Sequence, residues 1–379
     1  FKPVVPPSVE LIDTFLLSGE EEIKTFNFID HFEAKNACFR YDFTPQIGRI
    51  LSNYNIKLPA KFCYEGSVLR NPIGLTGEKR EFYQAGVEII GIEDTDADIE
   101  LVLLADKIFK HFAVKDYKLF LGNVNIIKSL FETSVPDELK KAFVEKNTSE
   151  IKKIVSTLNL SAIKRNFLIE LPFLCGELDL ISEVTKKFPI KEMVPHLSKI
   201  KKIAEMAKRF NIPLYVDMGE VRGFEYHSGI ILDCYALDKQ NNYQEVITGG
   251  RYDNLLQCYL NKPVPATGFA VDILKLSWSV HHENGKRFLI LFSGKEEKKL
   301  DVLRLSESLR EKGANVLVEF STAENEEKVI KENKNSFDYI IFYCEAGIKV
   351  VNCKDLTENL LKNTNNDFFS NLIFKGVVK

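Results

Sequence analysis

Two strand-like segments joined by a loop that contains proline and glycine constrain the fold most strongly. Residues 61–69 and 81–91 carry aromatic and β-branched side chains, and the connecting residues 70–80 include Pro72 and Gly74. Proline presets one backbone angle and glycine adopts angles that other residues avoid, so both are typical of turns. The pattern predicts an antiparallel hairpin with residues 70–80 as a mobile loop.

Helix and strand patterns elsewhere predict a sheet that is interrupted by a helical insertion. Extended patterns occur at 36–44, 214–218, 226–236 and 244–248, and helical patterns at 46–54, 98–112, 135–143, 150–158, 193–210 and 270–280. Pro3, Pro6 and Pro7 place the first segment at a sheet edge, because proline lacks a backbone donor. We expect an α+β domain over residues 1–280, with roughly residues 110–210 as a mainly helical insertion.

A second, smaller domain is expected after a polar segment. Residues 281–287 contain no large apolar side chain, which is typical of a domain boundary. Beyond them, strand patterns at 288–292, 315–320 and 339–343 alternate with helical patterns at 298–312 and 324–333. This alternation predicts a small α/β domain over residues 286–379.

Composition excludes several classes of protein. No apolar run approaches the ~20 residues that a membrane helix requires, so we expect a protein that does not span a membrane. The 51 Lys and Arg against 54 Asp and Glu give a net charge of -3, which disfavours nucleic acid as the main partner. The seven cysteines and six histidines show no metal-binding or disulfide spacing. Reduced thiols, no metal and a cytoplasmic location are therefore expected.

The second strand of the hairpin has one polar and one apolar face. Side chains alternate along a strand, so Gln84, Gly86 and Glu88 share a face opposite Ala85 and Val87. The polar face is either a solvated outer surface or the floor of a polar ligand site. Gly86 favours the second interpretation, since it leaves room on the sheet.

Three other segments concentrate polar side chains. Asp42 and Thr44 share a face if their segment is extended, although Thr44 alone could be a helix cap. Residues 222–229 bring together a guanidinium, an aromatic hydroxyl and an imidazole, although Arg222 alone could form a surface salt bridge. Residues 249–253, Gly-Gly-Arg-Tyr-Asp, could be only a turn that enters a helix.

In combination these motifs resemble the histidyl-tRNA synthetase core. Their order along the chain is Arg40 to Thr44, Arg70, Gln84 to Glu88, Arg222-Gly223, Gly249 to Asp253 and Gly268-Phe269-Ala270. The resemblance covers roughly residues 1–280. It implies the class II aminoacyl-tRNA synthetase fold: an antiparallel sheet with flanking helices and a helical insertion.

The resemblance also implies a histidine site. Asp42, Thr44 and Gln84 would take the α-ammonium group of histidine, and Glu88 would accept a hydrogen bond from an imidazole N–H. Arg222 would approach the carboxylate, which suits a planar guanidinium. Tyr226 and His227 would line the imidazole end of the site, with His227 standing where the synthetases usually carry a second tyrosine.

The nucleotide site departs from the synthetase pattern. Arg70 stands where the first ATP-binding arginine belongs, but Pro72 replaces the glutamate that follows it. Lys275 replaces the arginine that clamps ATP near the end of the core, and lysine lacks the planar fork of arginine. We expect Arg70 and Lys275 to mark a vestigial nucleotide site in a chain that uses no cofactor and has no catalytic residue.

This combination is similar to the synthetase-like regulatory subunits of bacterial ATP phosphoribosyltransferase. The resemblance implies a non-catalytic role, with the short catalytic subunit as partner, histidine as ligand and a homodimer within a hetero-oligomer. Two alternatives stay open: an active or divergent histidyl-tRNA synthetase, and another synthetase-like protein. The second domain resembles an anticodon-binding domain, but its 16 Lys and Arg against 15 Asp and Glu predict that tRNA is not a ligand.

Overall fold

The fold is described from a computed structural model, in which two compact units are distinguished. The description covers residues 1–16, 25–32, 34–54, 56–71, 79–221, 226–280, 285–320, 326–344 and 347–361. The first unit is Phe1–Val280 and the second is His281–Lys379. Each unit is described by itself.

The first unit is built on a nine-stranded sheet and a three-stranded sheet. The nine strands lie in the order β1-β5-β6-β12-β11-β10-β7-β9-β8, and the three lie in the order β2-β4-β3. The strands are β1 (Lys2–Pro3), β2 (Val9–Leu11), β3 (Asn27–Asp30), β4 (Lys35–Phe39), β5 (Ala60–Leu69), β6 (Glu81–Ile90), β7 (Tyr117–Asn123), β8 (Cys175–Gly176), β9 (Leu214–Asp217), β10 (Ile230–Leu237), β11 (Tyr243–Arg251) and β12 (Ala266–Asp272).

The helices of the first unit lie before, between and after these strands. They are α1 (Asp13–Leu16), α2 (Thr44–Tyr54), α3 (Thr95–His111), α4 (Asn125–Lys128), α5 (Asp137–Val144), α6 (Thr148–Thr157), α7 (Ala162–Glu170), α8 (Asp179–Lys187), α9 (Val194–Arg209), α10 (Gln257–Leu260) and α11 (Ile273–Ser279). None of the helices in the described part of the chain combines the length and the apolar character that crossing a membrane requires.

The predicted hairpin lies near one side of the large sheet. Strands β5 and β6 pair antiparallel, with Phe62 opposite Glu88 and Tyr64 opposite Gly86. The proline-rich start of the chain forms β1, which pairs parallel with β5 and ends the sheet on that side. Both predictions are confirmed. The predicted loop at the tip of the hairpin falls mostly outside the described residues.

The large core covers the face of the sheet opposite Glu88. Ile89, the next residue along β6, is fully buried in the same apolar cluster as Leu101 and Phe109 of α3 and Ile200 of α9. Asp94 begins α3 by accepting a hydrogen bond from the backbone N–H of Thr95, which satisfies one free donor of the first turn. The Glu88 face is covered by a second apolar cluster, in which Ile47 and Leu51 of α2 pack near Ile90 of β6.

Two sequence predictions differ from the structure. Strand β7 lies inside the stretch that was expected to be mainly helical, and it occupies the interior of the sheet between β10 and β9. The predicted helix 270–280 begins too early, since β12 runs to Asp272. The Asp272 carboxylate accepts from the backbone N–H groups of Leu274 and Lys275, which fixes the helix start after Asp272.

The second unit is a five-stranded sheet with helices. Its strands lie in the order β14-β13-β15-β16-β17; β13 runs parallel to β14 and β15, and the last pairs are antiparallel. Gly313 follows the first helix with a φ of 84°, a left-handed angle that favours glycine. The elements are β13 (Arg287–Ser293), α12 (Lys299–Glu311), β14 (Asn315–Glu319), α13 (Glu326–Asn333), β15 (Tyr339–Cys344), β16 (Gly347–Asn352) and β17 (Glu358–Leu361).

A buried ion pair joins β11 to the start of α3. The Arg251 guanidinium lies 2.9 Å from the Asp98 carboxylate, and the two side chains are only 5% and 2% exposed. Arg251 also donates to the backbone carbonyls of Ile92 and Asp94, each at 3.2 Å. Burial raises the pKa of Asp98 while Arg251 opposes that rise. Gly249 to Arg251 are therefore the last residues of strand β11 and not a turn, and Arg251 is a structural anchor.

Removal of one partner of this pair should destabilise the first unit strongly. Asp98→Ala removes the fully buried partner of Arg251 and leaves only Asp253, which lies 3.2 Å away and is 32% exposed. We expect the free energy of unfolding to fall by about 3 kcal/mol, at the lower end of the range for a broken buried pair. Urea unfolding measures the change. Lys202→Ala is the control, because Lys202 forms an exposed pair with Asp96 at 3.1 Å and should cost less than about 1 kcal/mol. Equal losses in the two variants would contradict this role of the pair.

Candidate ligand-binding site

A cavity of about 140 Å³ opens on the Glu88 face of the sheet. Its wall contains six of the seven residues predicted to bind histidine: Asp42, Thr44, Gln84, Glu88, Tyr226 and His227. The seventh, Arg222, lies outside the described residues. Gln84 and Glu88 are only 7% and 2% exposed, so the polar face of β6 is an internal surface and not a solvated one.

Glycines on β12, the neighbour of β6, and on β11, the next strand, form the floor of the cavity. Glu88 lies opposite Gly268 of β12, and Gly268 lies opposite Gly250 of β11. A Cβ atom on Gly268 would overlap the Glu88 carboxylate and the backbone oxygen of Val87. The sheet therefore approaches the carboxylate closely only because this position lacks a side chain.

Gly86 serves a neighbouring side chain. The Tyr64 ring lies across it, so closely that a Cβ atom at this position would overlap the ring. Tyr64 also stacks on Phe43 of the loop before α2, with ring centroids 4.2 Å apart. The room that the sequence predicted at Gly86 is thus filled by Tyr64, whose hydroxyl points to Glu88.

Three hydroxyl groups hold the Glu88 carboxylate. Thr44 donates to Oε1 at 2.9 Å and Tyr64 donates to the same oxygen at 3.0 Å, while Tyr252 donates to Oε2. Burial raises the pKa of Glu88 to about 7 even though each hydroxyl donor lowers it, and the nearby Asp42 raises it further. Glu88 is therefore a carboxylate that changes charge near neutral pH.

Asp42 supplies a second carboxylate at the start of α2. It accepts hydrogen bonds from the backbone N–H groups of Phe43 at 2.7 Å and Thr44 at 3.4 Å. Burial raises the pKa of Asp42, and the Arg70 guanidinium opposes that rise. A wall with two carboxylates, the Gln84 amide and one guanidinium suits a ligand that carries an ammonium group and a carboxylate.

His227 and Tyr226 close another side of the cavity. Burial lowers the pKa of His227 to about 4, so its imidazole is neutral at physiological pH. The His227 Nδ1 atom is buried and, within the described residues, has no hydrogen-bond partner. Lys128 fixes this segment by donating to the His227 carbonyl at 2.9 Å. The imidazole also forms a hydrogen bond with the backbone of Arg251. Since buried polar atoms are usually hydrogen-bonded, Nδ1 suits a contact with a ligand in the cavity.

The two predicted nucleotide anchors lie in different places. Arg70 lines the cavity and donates to the backbone carbonyl of Tyr41 at 3.2 Å. Lys275 lies in the first turn of α11 and is not part of the cavity wall. The cavity thus contains one of the two cations that the resemblance assigns to nucleotide binding.

Several wall residues were not among the predicted site residues. Tyr64, Thr248 and Tyr252 face the cavity, together with the floor glycines. Tyr252 belongs to the Gly-Gly-Arg-Tyr-Asp string, which the sequence analysis identified as a motif. Its hydrogen bond to Glu88 was not predicted. Within the described ranges, no group of three or more His, Cys, Asp or Glu side chains is arranged to hold a metal ion.

Comparison with known proteins identifies the family of this chain. The model of the histidyl-tRNA synthetase family matches residues 1–276. The ATP phosphoribosyltransferase regulatory subunit of Geobacter sulfurreducens is 30% identical over 89% of this chain and 78% of its own length. The chain belongs to the family of ATP phosphoribosyltransferase regulatory subunits. The regulatory subunit of Thermoanaerobacter pseudethanolicus is 29% identical, with 90% of each chain covered.

Solved structures show the same fold. An ATP phosphoribosyltransferase regulatory subunit/histidyl-tRNA synthetase from Bacillus halodurans matches with a TM-score of 0.68 and 22% identity, covering 91% of this chain and 89% of that one. Histidyl-tRNA synthetase from Nostoc sp. PCC 7120 matches with a TM-score of 0.71 and 14% identity, covering 100% and 91%. The predicted class II synthetase-like fold is confirmed.

Substitution of a floor glycine should close the cavity. Gly268→Ala places a methyl group against the Glu88 carboxylate and the Val87 carbonyl. We expect this variant to lose the binding of L-histidine, the ligand that the family resemblance implies. Titration calorimetry measures the loss. The control is Gly176→Ala on β8, where a Cβ atom approaches no other atom closer than 3.6 Å. Histidine binding by Gly268→Ala at the affinity of the unmodified protein would show that this floor does not contact the ligand.

Proposed function

We propose that this chain is a non-catalytic subunit that supports the activity of a short catalytic ATP phosphoribosyltransferase and its feedback inhibition by histidine, in the first step of histidine biosynthesis. The observation that carries the proposal is the cavity at Glu88. It is an acidic site of the size of an amino acid, and it lies in a chain of the regulatory-subunit family. The relatives named above are regulatory subunits of this transferase.

The ligand of the cavity is proposed to be histidine. The α-ammonium group would lie against Asp42, Thr44 and Gln84, which offer acceptor oxygens. An imidazole N–H would donate to Glu88, while Tyr226 and His227 would contact the ring. Arg222 would take the carboxylate, as the family resemblance implies. The two acids support this orientation, because both suit groups that donate hydrogen bonds.

A role without catalysis is supported by the incomplete set of cations. Adenylate formation requires positive charge on the ATP phosphates while the α-phosphorus is attacked. Arg70 lies at the cavity, but Lys275 lies outside its wall and lacks the fork of an arginine. We therefore propose no catalytic residue and no cofactor, with Arg70 and Lys275 as remnants of a nucleotide site.

An active or divergent histidyl-tRNA synthetase is the second candidate. It is favoured by the family model that covers residues 1–276 and by Arg70 at the cavity. Histidine-dependent exchange of pyrophosphate into ATP separates the two, since only a synthetase that forms the adenylate catalyses it.

The near-neutral charge of residues 286–379 supports the proposal that this domain is a degenerate anticodon-binding domain and binds no tRNA.

Apolar side chains on the three-stranded sheet support a homodimer within a larger hetero-oligomer. Phe28 and Phe39 are each 38% exposed and their rings lie 5.4 Å apart. Exposed apolar clusters of this kind mark protein contacts.

A cytoplasmic location is also proposed, since the seven cysteines are all free thiols.

Mixing experiments test the proposed role directly. The short catalytic subunit should be nearly inactive alone and gain phosphoribosyltransferase activity when this chain is added, with both proteins in one complex by light scattering. L-Histidine should then inhibit the complex. Robust pyrophosphate exchange by this chain alone, with no effect on the transferase, would replace the proposal with the synthetase.

Glu88→Gln should weaken histidine binding while the fold is retained. The amide keeps the shape of the carboxylate but offers a poorer acceptor to the ring N–H, so we expect a loss of about 1–3 kcal/mol in binding free energy. Titration calorimetry at pH 8 measures the loss. Glu205→Gln on the exposed side of α9 is the matched control and should bind histidine normally. Unchanged affinity in Glu88→Gln would show that Glu88 does not face the ligand.

A further inference from the structure

The carboxylate of Glu88 has little hydrogen-bonding capacity left for a ligand. An ionised carboxylate offers about four acceptor positions. Thr44 and Tyr64 occupy Oε1, and Tyr252 occupies one position on Oε2. One position therefore remains, on the oxygen that Tyr252 already holds and that lies against Gly268.

Tyr252 is tied to this oxygen by its hydroxyl and to the core by its ring. The side chain is 2% exposed and packs in the apolar cluster that contains Phe43 and Leu256. The backbone N–H of Tyr252 donates to the carbonyl oxygen of Ala266 at 2.8 Å, which fixes the position of Tyr252 immediately after β11. A phenylalanine would fill the same space, so the hydroxyl contributes chiefly through its bond to Glu88.

We propose that Tyr252 is a positioning residue that holds the Glu88 carboxylate in place and directs its one remaining acceptor site toward a ring N–H of the ligand. This inference rests on the proposed histidine site and adds a residue to it. A proton and the ligand N–H then compete for the same position on Oε2. Binding of a ring donor requires the ionised carboxylate, so it strengthens as Glu88 loses its proton.

The direction of the pH effect follows from the groups around Glu88. Each hydroxyl donor lowers the pKa of Glu88, so loss of the Tyr252 hydroxyl raises it above about 7. Asp42 at the start of α2 raises the same pKa. Among the described residues, the other titratable groups at the cavity are Tyr64 of β5, Tyr226, the Arg70 cation beside Asp42, and His227, which stays neutral above its pKa of about 4.

The test is the pH profile of L-histidine affinity, measured by calorimetry from pH 6.5 to 8.5 for the unmodified chain and for Tyr252→Phe. If the pKa of Glu88 rises by about one unit, affinity falls about five-fold at pH 7 and less than about two-fold at pH 8.5. The ligand's own titration is common to both proteins, so the ratio of their affinities isolates the change at Glu88.

Two further variants complete the experiment. Tyr64→Phe removes another donor to Glu88 and should shift the profile in the same direction, which decides the matter if Tyr252→Phe does not fold. In Glu88→Gln, the part of the pH dependence of histidine affinity that comes from residue 88 should vanish, since the amide does not titrate. A loss of affinity that is equal at every pH in both tyrosine variants would overturn the positioning role and leave the histidine site intact.

Absence of histidine binding by the unmodified chain at every pH would be a different result. It would overturn the proposed ligand, and this inference with it. The mixing experiment with the catalytic subunit would still report on the regulatory role. The two failures are therefore distinguishable.

Discussion

The burial of one carboxylate against two glycine-bearing strands is the constraint on which the site depends. Glu88 projects from β6 into a space that exists because Gly268 of β12 has no side chain, while Gly250 of β11 leaves room beside His227. A charge in such a place is costly unless hydrogen bonds compensate for it. Thr44, Tyr64 and Tyr252 provide that compensation from three separate elements. The site is thus assembled only when α2, β5 and the end of β11 are all in place.

This arrangement shows how the proposed amino-acid pocket could persist in a synthetase-like fold that lacks adenylate chemistry. The three groups that donate hydrogen bonds to Glu88 are neutral hydroxyls. The cations that would hold a triphosphate come from other segments: Arg70 from the end of β5 and Lys275 from α11. Neither side chain donates one of the three hydroxyl hydrogen bonds to Glu88. We regard the pocket and the nucleotide anchors as separable parts of the fold.

Much of this was predictable from the sequence, because the signals were local or came from ordered motifs. Alternation in residues 81–91 identified the polar face of β6, and the motif order identified the fold. The covering of Gly86 by Tyr64 was not predictable, since it depends on the register between β5 and β6. The Tyr252 contact with Glu88 joins residues 164 positions apart, a separation that no local pattern reports. Strand β7 was missed because its pairing with β10 and β9, and not its composition, determines its place.

The five residues of the Gly-Gly-Arg-Tyr-Asp string combine two duties at adjacent positions. Arg251 ties β11 to α3 through Asp98, and Tyr252 holds the carboxylate on the opposite face. If this chain mediates histidine control as proposed, a genetic screen for strains that escape that control would collect two kinds of change from the same few codons. Some would lower the amount of folded chain in the cell, and others would alter ligand recognition in a normally abundant protein. Protein abundance, measured beside the growth phenotype, would sort one kind from the other.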